Sequence, residues 1–463
     1  MTLIKSISGI RGTIGGKQGE GLSPIDIVKF TAAYADLIQN LNKKKSISIV
    51  TGRDARISGK MVHSIVNQTL CSMGCNVIDI GMASTPTTEM AVKFENAYGG
   101  IIITASHNPR QWNALKLLNN KGEFLNAEEG KYILKLAEAA EFDFSDIDNI
   151  GTVSFIGNYE LKHIRSIIDL ELVDISAIQK ANFTVAIDCV NSVGGICIPP
   201  LLKALGVKEI IELYTEPTGE FPHNPEPLPE HLTEISELIV NKKADVGFVV
   251  DPDVDRLAIV CEDGKMFGEE YTLVAVADYI LQHKKGNTVS NMSSTRALRD
   301  ITESYGGKHF ASAVGEVNVV AEMKKQNAVI GGEGNGGVIY PPLHYGRDAL
   351  VGIALFLTNL AKRGTSVSKL RAGYPNYVIS KNKIQLTPDI DVDNVLSLIH
   401  KKYQDKEINT ADGIKIIFNN SEWVHLRKSN TEPIIRIYAE STNNKNADLL
   451  AQNIIKEINI LID

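Results

Sequence analysis

Short apolar runs closed by glycine-rich or polar loops recur along most of the chain, and amphipathic stretches with helical spacing lie between them. In the first third the runs predict strands over 46–50, 76–80 and 99–103, with helices over 60–73, 87–94 and 128–140. An acidic, irregular stretch to Gly151 reads as a boundary. The next unit has strands near 184–188 and 210–213, a Pro-rich loop over 216–229 and a closing apolar strand over 245–250. A hairpin strand over 257–261, turning at Asp263-Gly264, is expected to open a third unit that closes with a helix over 349–361. Strand-helix alternation of this kind predicts α/β units. The last stretch has a different rhythm: a helix over 392–402, strands over 414–418, 423–426 and 434–440, then a helix from 445. That is an α+β pattern, with helices on one face of a largely antiparallel sheet. The expected fold is therefore three similar mixed α/β domains, over 1–150, 151–252 and 253–370, and a C-terminal α+β domain over 371–463.

The bulk numbers narrow the function class. A chain of 463 residues is too long for one core, which agrees with several domains. Its formal charge of −7 argues against a nucleic-acid or anionic-membrane surface, so an anionic substrate needs local arginines and backbone N–H groups. No apolar run reaches the length of a membrane span, and Met1-Thr2-Leu3-Ile4-Lys5 does not open a signal peptide. Cys71, Cys75, Cys189, Cys197 and Cys261 form no Cys-x-x-Cys pair and sit among apolar neighbours, as reduced core thiols do. A cytoplasmic protein is expected.

Four loops carry the chemistry. The run Gly99–Ile103 ends in Thr104-Ala105-Ser106-His107-Asn108-Pro109, which places a hydroxyl at the rim of a sheet, where open α/β folds keep their ligands. Alone, a Ser-His pair says little, because most serines are solvated. Asn108-Pro109 forces extended or turn backbone just beyond it, and Arg11, Arg53 and Lys116 also lie in loop-like contexts suited to anions. Asp251, Asp253 and Asp255 alternate in a tight loop after an apolar strand. Unpaired they repel, and a hard cation such as Mg²⁺ resolves the repulsion. A calcium EF-hand is disfavoured because Arg256 stands where that loop demands Gly. Gly331–Gly337 embeds Glu333 and Asn335 in glycine, which permits close approach to a sugar. Arg427, Ser429, Asn430 and Thr431, with Arg436 beyond, supply the hydroxyls, N–H groups and guanidinium that a phosphate dianion needs.

In this order the loops resemble those of the α-D-phosphohexomutases, and the resemblance spans the chain. Ser8-Gly9-Ile10-Arg11-Gly12 and Gly52-Arg53-Asp54-Ala55-Arg56 match the opening motifs, and Thr104–Pro109 matches the phosphoserine loop. Asn113-Ala114 departs from a usual Asn-Gly, Asn335 stands for a Ser, and Gly337 replaces a common His. The resemblance implies a four-domain architecture and Ser106 as carrier of the transferable phosphate. It also implies Mg²⁺ held by Asp251, Asp253, Asp255 and a phosphoserine oxygen. Lys116, Arg11 and His107 then manage the hydroxyl proton and developing charge, Arg53, Glu333 and Asn335 contact the substrate, and Arg427, Ser429, Asn430, Thr431 and Arg436 clamp its distal phosphate. The implied ligands are a hexose phosphate and a hexose 1,6-bisphosphate, with no nucleic acid and no membrane, in a monomer or homodimer. Glucosamine phosphate is the expected sugar, and mannose or glucose phosphate is the alternative. Two rivals stand beside this reading: a haloacid-dehalogenase-type phosphatase with Asp251 as nucleophile, and a catalytically silent phosphosugar-binding protein.

Overall fold

The computed structural model describes residues 2–6, 9–385, 390–428 and 434–462. Two compact units emerge: residues 1–272 with 336–369, and residues 273–335 with 370–463.

The first unit holds two sheets. One contains β1 (Ile4–Ser6), β2 (Gly9–Thr13), β3 (Ser48–Arg53), β4 (Asn76–Met82), β5 (Gly99–Ile103), β6 (Trp112–Leu118) and β7 (Val153–Phe155), in the order β1-β2-β6-β5-β3-β4-β7. β3, β4, β5 and β7 run parallel, while β6 and β2 run antiparallel to their neighbours. Every residue of β5 is buried, as expected for a parallel strand covered on both faces. The helices Pro24–Asn42 and Gly59–Ser72 supply Phe30, Tyr34, Val62, Val66 and Leu70 to the core over β3 and β5. Ser23 and Asp26 close the start of the first helix as a reciprocal capping box.

The second sheet contains β8 (Thr184–Asp188), β9 (Glu209–Leu213), β10 (Val246–Val250) and β11 (Leu257–Cys261), in the order β11-β10-β8-β9. Here the strand at 257–261, expected to open a third unit, belongs instead to this second sheet and lies antiparallel to β10, with Val246 opposite Cys261. The reason is loop length: residues 251–256 are too few for a parallel crossover, which needs a dozen or more, so the chain folds straight back.

The second unit begins its sheet structure with β12 (Thr288–Asn291), β13 (His309–Ser312) and β14 (Ile330–Glu333), and β12 pairs in parallel with both others. At Gly336 the chain re-enters the first unit with β15 (Gly337–Ile339) and the helix Ala349–Arg363. Phe356 of that helix packs edge-on against Phe248 and Phe267. The second unit then finishes with β16 (Val378–Gln385), β17 (Glu407–Asn409), β18 (Ile414–Asn419), β19 (Glu422–Lys428) and β20 (Ile434–Ser441), all antiparallel in the order β16-β20-β19-β18-β17. The helices Val392–Lys402 and Asn444–Ile462 share one apolar core with this sheet, which matches the α+β expectation. All five cysteines are free and buried. Among the described residues, no helix is long and apolar enough to cross a membrane.

Gly99 opens the strand that delivers Ser106, and it is there because nothing larger fits. Tyr34 Oη, fully buried, donates to Leu118 O at 2.7 Å, and a Cβ on Gly99 would lie 2.1 Å from that hydroxyl. Gly99→Ala is expected to destabilise the protein by about 1–3 kcal/mol through overpacking, measured by denaturant unfolding. The double variant Gly99→Ala/Tyr34→Phe is expected to recover part of the loss. An unchanged stability of the single variant contradicts this packing account.

Candidate active site

β5 runs parallel to β3 and β10 runs parallel to β8, and the C-terminal ends of β5 and β10 pass directly into the Ser106 and Asp251 loops. Both loops hold a non-glycine residue in the left-handed region: Ser106 at φ 50° and Val254 at φ 63°. For a β-branched residue such as Val254 this is unusual, and each costs about 1–3 kcal/mol unless the surroundings enforce it. The surroundings do. Ser106 N donates to Thr104 Oγ1 at 2.9 Å, and Thr104 Oγ1 donates to Asp54 Oδ2 at 2.6 Å. Val254 is fully buried, its N donates to Asp251 O, and its O accepts from Ala349 N. Ser106 Oγ then donates to Asp251 Oδ2 at 2.6 Å and sits 3.3 Å from His107 Nδ1.

Three buried carboxylates share this loop, and cations from three segments answer them. Lys116 Nζ, on β6, lies 2.6 Å from Asp253 Oδ2 and 3.2 Å from Asp255 Oδ2. Arg347 donates to Asp255 Oδ2 at 2.7 Å. Arg256 lies 4.0 Å from Asp255 Oδ1 and 3.6 Å from Glu226 Oε1. Thr85 at the start of the helix Thr85–Phe94 donates from Oγ1 to Asp253 Oδ2 at 2.5 Å and from N to Asp253 O. Burial, reinforced by Asp253 and Asp255, pushes the Asp251 carboxyl well above the usual range. Burial also opposes ionisation of Asp255, but Arg347, Lys116 and Arg256 outweigh it and hold that carboxyl below its ordinary value. Burial weakens the Lys116 ammonium, and Asp253 and Asp255 more than reverse that, so it binds its proton more tightly than an ordinary lysine. Burial and then the Arg256 charge push His107 well below the imidazole range.

The donor set fits a hard cation. One oxygen from each of Asp251, Asp253 and Asp255 lies within 4.8 Å of the others. Asp253 Oδ1 and Asp255 Oδ1 are buried without a hydrogen-bond partner, and buried carboxylate oxygens are rarely left so. A second group, His163, His344 and Asp348, is also close enough to hold a metal, yet both oxygens of its one carboxylate are already hydrogen-bonded, while His344 Nδ1 is buried without a hydrogen-bond partner. Asp348 Oδ1 caps the helix Ala349–Arg363 through Leu350 N and Val351 N, while Oδ2 meets His163 Nε2 at 3.0 Å and His344 Nε2 at 3.2 Å. This network anchors Arg347 one residue away. Glu89, pushed well above its usual value by burial, lies 3.3 Å from His344 Nδ1. Its carboxyl occupies the space a side chain at Gly346 would need.

The structure thus brings Ser106, His107, Lys116, Asp251, Asp253 and Asp255 together. Arg11 lies opposite Ala114 in the β2–β6 pairing, and therefore on the Lys116 face of β6. Arg53 ends β3 and donates to Asp54 O at 2.9 Å. The remaining expected residues lie in the second unit. Glu333 is buried and accepts from Asn291 Nδ2 at 2.9 Å and Gly315 N at 3.1 Å, and Asn335 follows in a partly buried turn. Arg427, expected in a loop, is instead part of β19, where it pairs with Asp412 at 2.7 Å and stands directly opposite Arg436 of β20. Ser429, Asn430 and Thr431 lie outside the described residues, as does Ser8 of the opening motif. Thr85, Glu89, Glu226 and Arg347 join the site from outside the expected set. Of these only Arg347 carried a signal, the Gly346-Arg347-Asp348 triplet after the glycine-rich loop.

A serine hydroxyl bonded to a buried three-aspartate loop, at the C-terminal ends of parallel strands, defines a phosphoryl-transfer class of site. The phosphoglucomutase/phosphomannomutase family models match in series: α/β/α domain I over residues 3–144, domain II over 161–264, domain III over 268–377 and the C-terminal domain over 383–457. The chain belongs to this family, within the α-D-phosphohexomutase superfamily, and has its four-domain architecture. It is a phosphohexomutase, an isomerase. A phosphoglucomutase/phosphomannomutase of Thermococcus kodakarensis is 35% identical, covering 94% of this chain and 95% of that protein. A probable phosphoglucosamine mutase of Methanopyrus kandleri is 30% identical, covering 95% and 94%. A crystal structure of a Burkholderia thailandensis phosphoglucomutase/phosphomannomutase family protein superposes with a TM-score of 0.83 at 25% identity, covering 98% and 97%.

If the aspartate loop holds the cation, adding Mg²⁺ at roughly 100 times its dissociation constant stabilises the wild type by about 2.7 kcal/mol, read as a rise in Tm. Asp253→Asn is expected to lose most of that rise. Equal rises in both proteins place the metal elsewhere.

Proposed function

We propose that this phosphohexomutase carries its transferable phosphoryl group on Ser106 and interconverts the 6- and 1-phosphates of a hexose, glucosamine first among them, through a bound 1,6-bisphosphate. The observation that carries the reading is the 2.6 Å hydrogen bond from Ser106 Oγ to Asp251, inside the buried aspartate loop.

In the forward step the bond from Ser106 Oγ to phosphorus breaks, a new bond forms from phosphorus to the oxygen at carbon 1 of a hexose 6-phosphate, and the proton that this hydroxyl loses is balanced by one taken up on Ser106 Oγ. In the return step the bond from phosphorus to the oxygen at carbon 6 of the bisphosphate breaks, phosphorus bonds to Ser106 Oγ, and the proton that Oγ loses is balanced by one taken up on the carbon 6 oxygen. Asp251, Asp253 and Asp255, with an oxygen of phospho-Ser106, are the residues that would hold Mg²⁺, which when bound neutralises charge on the transferred group. Lys116 and Arg347 supply fixed positive charge to Asp253 and Asp255. His107, 3.3 Å from Ser106 Oγ, offers a ring nitrogen beside the hydroxyl. In the second unit, Arg427 and Arg436 stand opposite each other across a strand pair and form a basic pair that Asp412, 2.7 Å from Arg427, neutralises in part. That arrangement supports a clamp for the phosphate that is not reacting. Glu333 supports recognition of sugar hydroxyls. The name of the Methanopyrus relative favours glucosamine, and that of the Thermococcus relative favours glucose or mannose.

Exposure to a hexose 1,6-bisphosphate is expected to add one phosphate to the wild type, seen by intact-mass spectrometry and stable to hydroxylamine. Ser106→Ala is expected to take up none and to lose mutase activity while remaining folded, at a cost of about 1–3 kcal/mol for the lost bond to Asp251. A hydroxylamine-labile adduct would instead identify an aspartyl phosphate and the phosphatase reading. On the sugar, kcat/KM is expected to be highest for glucosamine 1-phosphate. An equal or higher value for mannose or glucose 1-phosphate overturns that choice alone.

A further inference from the structure

Arg56 is among the largest fully buried side chains in the protein, and all five of its guanidinium N–H groups are occupied. Nε pairs with Asp54 Oδ2 at 3.1 Å. Nη1 donates to Pro109 O at 2.8 Å and Trp112 O at 3.0 Å. Nη2 donates to Ser106 O and Asn108 O, both at 2.5 Å. The Phe221 ring covers it, 5.1 Å away. Three of the five donors therefore end on carbonyls of the loop that presents Ser106, and a fourth on Trp112, where that loop enters β6.

That loop needs an external template. Between β5 and β6 its backbone bonds to neighbouring strands and their flanks are only Thr104 N to Ala114 O and Ile14 N to Gln111 O, and a buried carbonyl must find a donor. Its own turns account for only Asn108 N to Ala105 O and Trp112 N to Pro109 O. Ser106 meanwhile sits at φ 50°, a conformation its side chain disfavours. Asp54 grips the same loop from the other end, through Thr104 Oγ1 and on to Ser106 N. One buried ion pair thus holds both the N–H and the C=O of Ser106. Because N–H and C=O of a trans peptide point opposite ways, turning the Ser106 carbonyl onto Arg56 also fixes the His107 N–H facing away from it.

We propose that Arg56 is a positioning residue for phosphoryl transfer: its guanidinium imposes the strained backbone at Ser106 and so sets where Oγ meets its phosphoryl donor and acceptor. The inference rests on the reading of Ser106 as phosphoryl carrier. Arg56 touches no reacting atom. Its fork of donors is what matters, and a lysine, with three donors on one nitrogen, cannot reach four carbonyls and a carboxylate in a plane.

The test compares wild type, Arg56→Lys and Arg56→Gln, each dephosphorylated and then mixed with glucose 1,6-bisphosphate. Intact mass follows phosphate uptake by Ser106, steady-state assays give kcat and KM, and amide exchange is mapped along the chain. Both variants are expected to take up phosphate and turn over about 100-fold more slowly, with KM changed by less than about threefold. Faster exchange is expected only over residues 105–113. Uptake within about threefold of wild type in Arg56→Lys overturns the inference. So does loss of protection across the whole first unit, which marks a general stabilising role. A wild type that gains no phosphate on Ser106 instead removes the reading beneath it, and the two failures are told apart in one experiment.

Discussion

Three carboxylates cannot share a buried six-residue loop beside a serine hydroxyl unless positive charge is brought to them, and much of the first unit is arranged around that requirement. Lys116 comes from the first sheet, Arg256 from the loop itself, and Arg347 from the segment that re-enters the unit after residue 336. Asp255 faces Lys116 and Arg347 and is held ionised. Asp251 faces Ser106 and, held up by burial, is the carboxyl that a cation would ionise fully. Ser106 is therefore hydrogen-bonded to a carboxyl that burial holds back from ionising.

Placement follows from topology. β10 ends at Val250, the loop turns within residues 251–256, and β11 returns beside it, so three aspartates within five residues bring one oxygen each to within 4.8 Å of the others. The turn is tight enough to drive Val254 into the left-handed region, and the Ser106 loop carries the same strain. Backbone strain persists where surrounding contacts over-determine it. Here those contacts are the Asp54–Arg56 pair on one side and Asp251, Thr85 and Ala349 on the other. Stability spent in these loops fixes the relative position of Oγ and the carboxylates.

Much of this was legible in the sequence, and the exceptions have physical reasons. Buried strands such as Gly99–Ile103 and Val246–Val250 announce themselves as apolar runs, and the groups at their ends are then read directly. β1 and β7 have three residues each, too few for a pattern, and β7 is exposed throughout. The helix Pro24–Asn42 went unmarked although its capping box and Pro at the first turn are visible in Ser23-Pro24-Ile25-Asp26. The strand over 257–261 reads as the opening of a third unit but pairs with β10, because pairing partners are tertiary information; only the shortness of the preceding loop hints at its return. Arg347, Glu226 and Thr85 reach the aspartates or their arginine from segments about 30 to 170 residues away, and no local spacing encodes that. Arg56 was visible in an opening motif, but that its donors are used on the Ser106 loop could be seen only in three dimensions.

The central claim is that Asp251, Asp253 and Asp255 form one cation site that includes Ser106. Anomalous diffraction from crystals soaked in Mn²⁺ tests it most directly. The account predicts a peak within bonding distance of all three carboxylates and of the Ser106 oxygen. A peak at His163, His344 and Asp348 with none at the aspartate loop would contradict it.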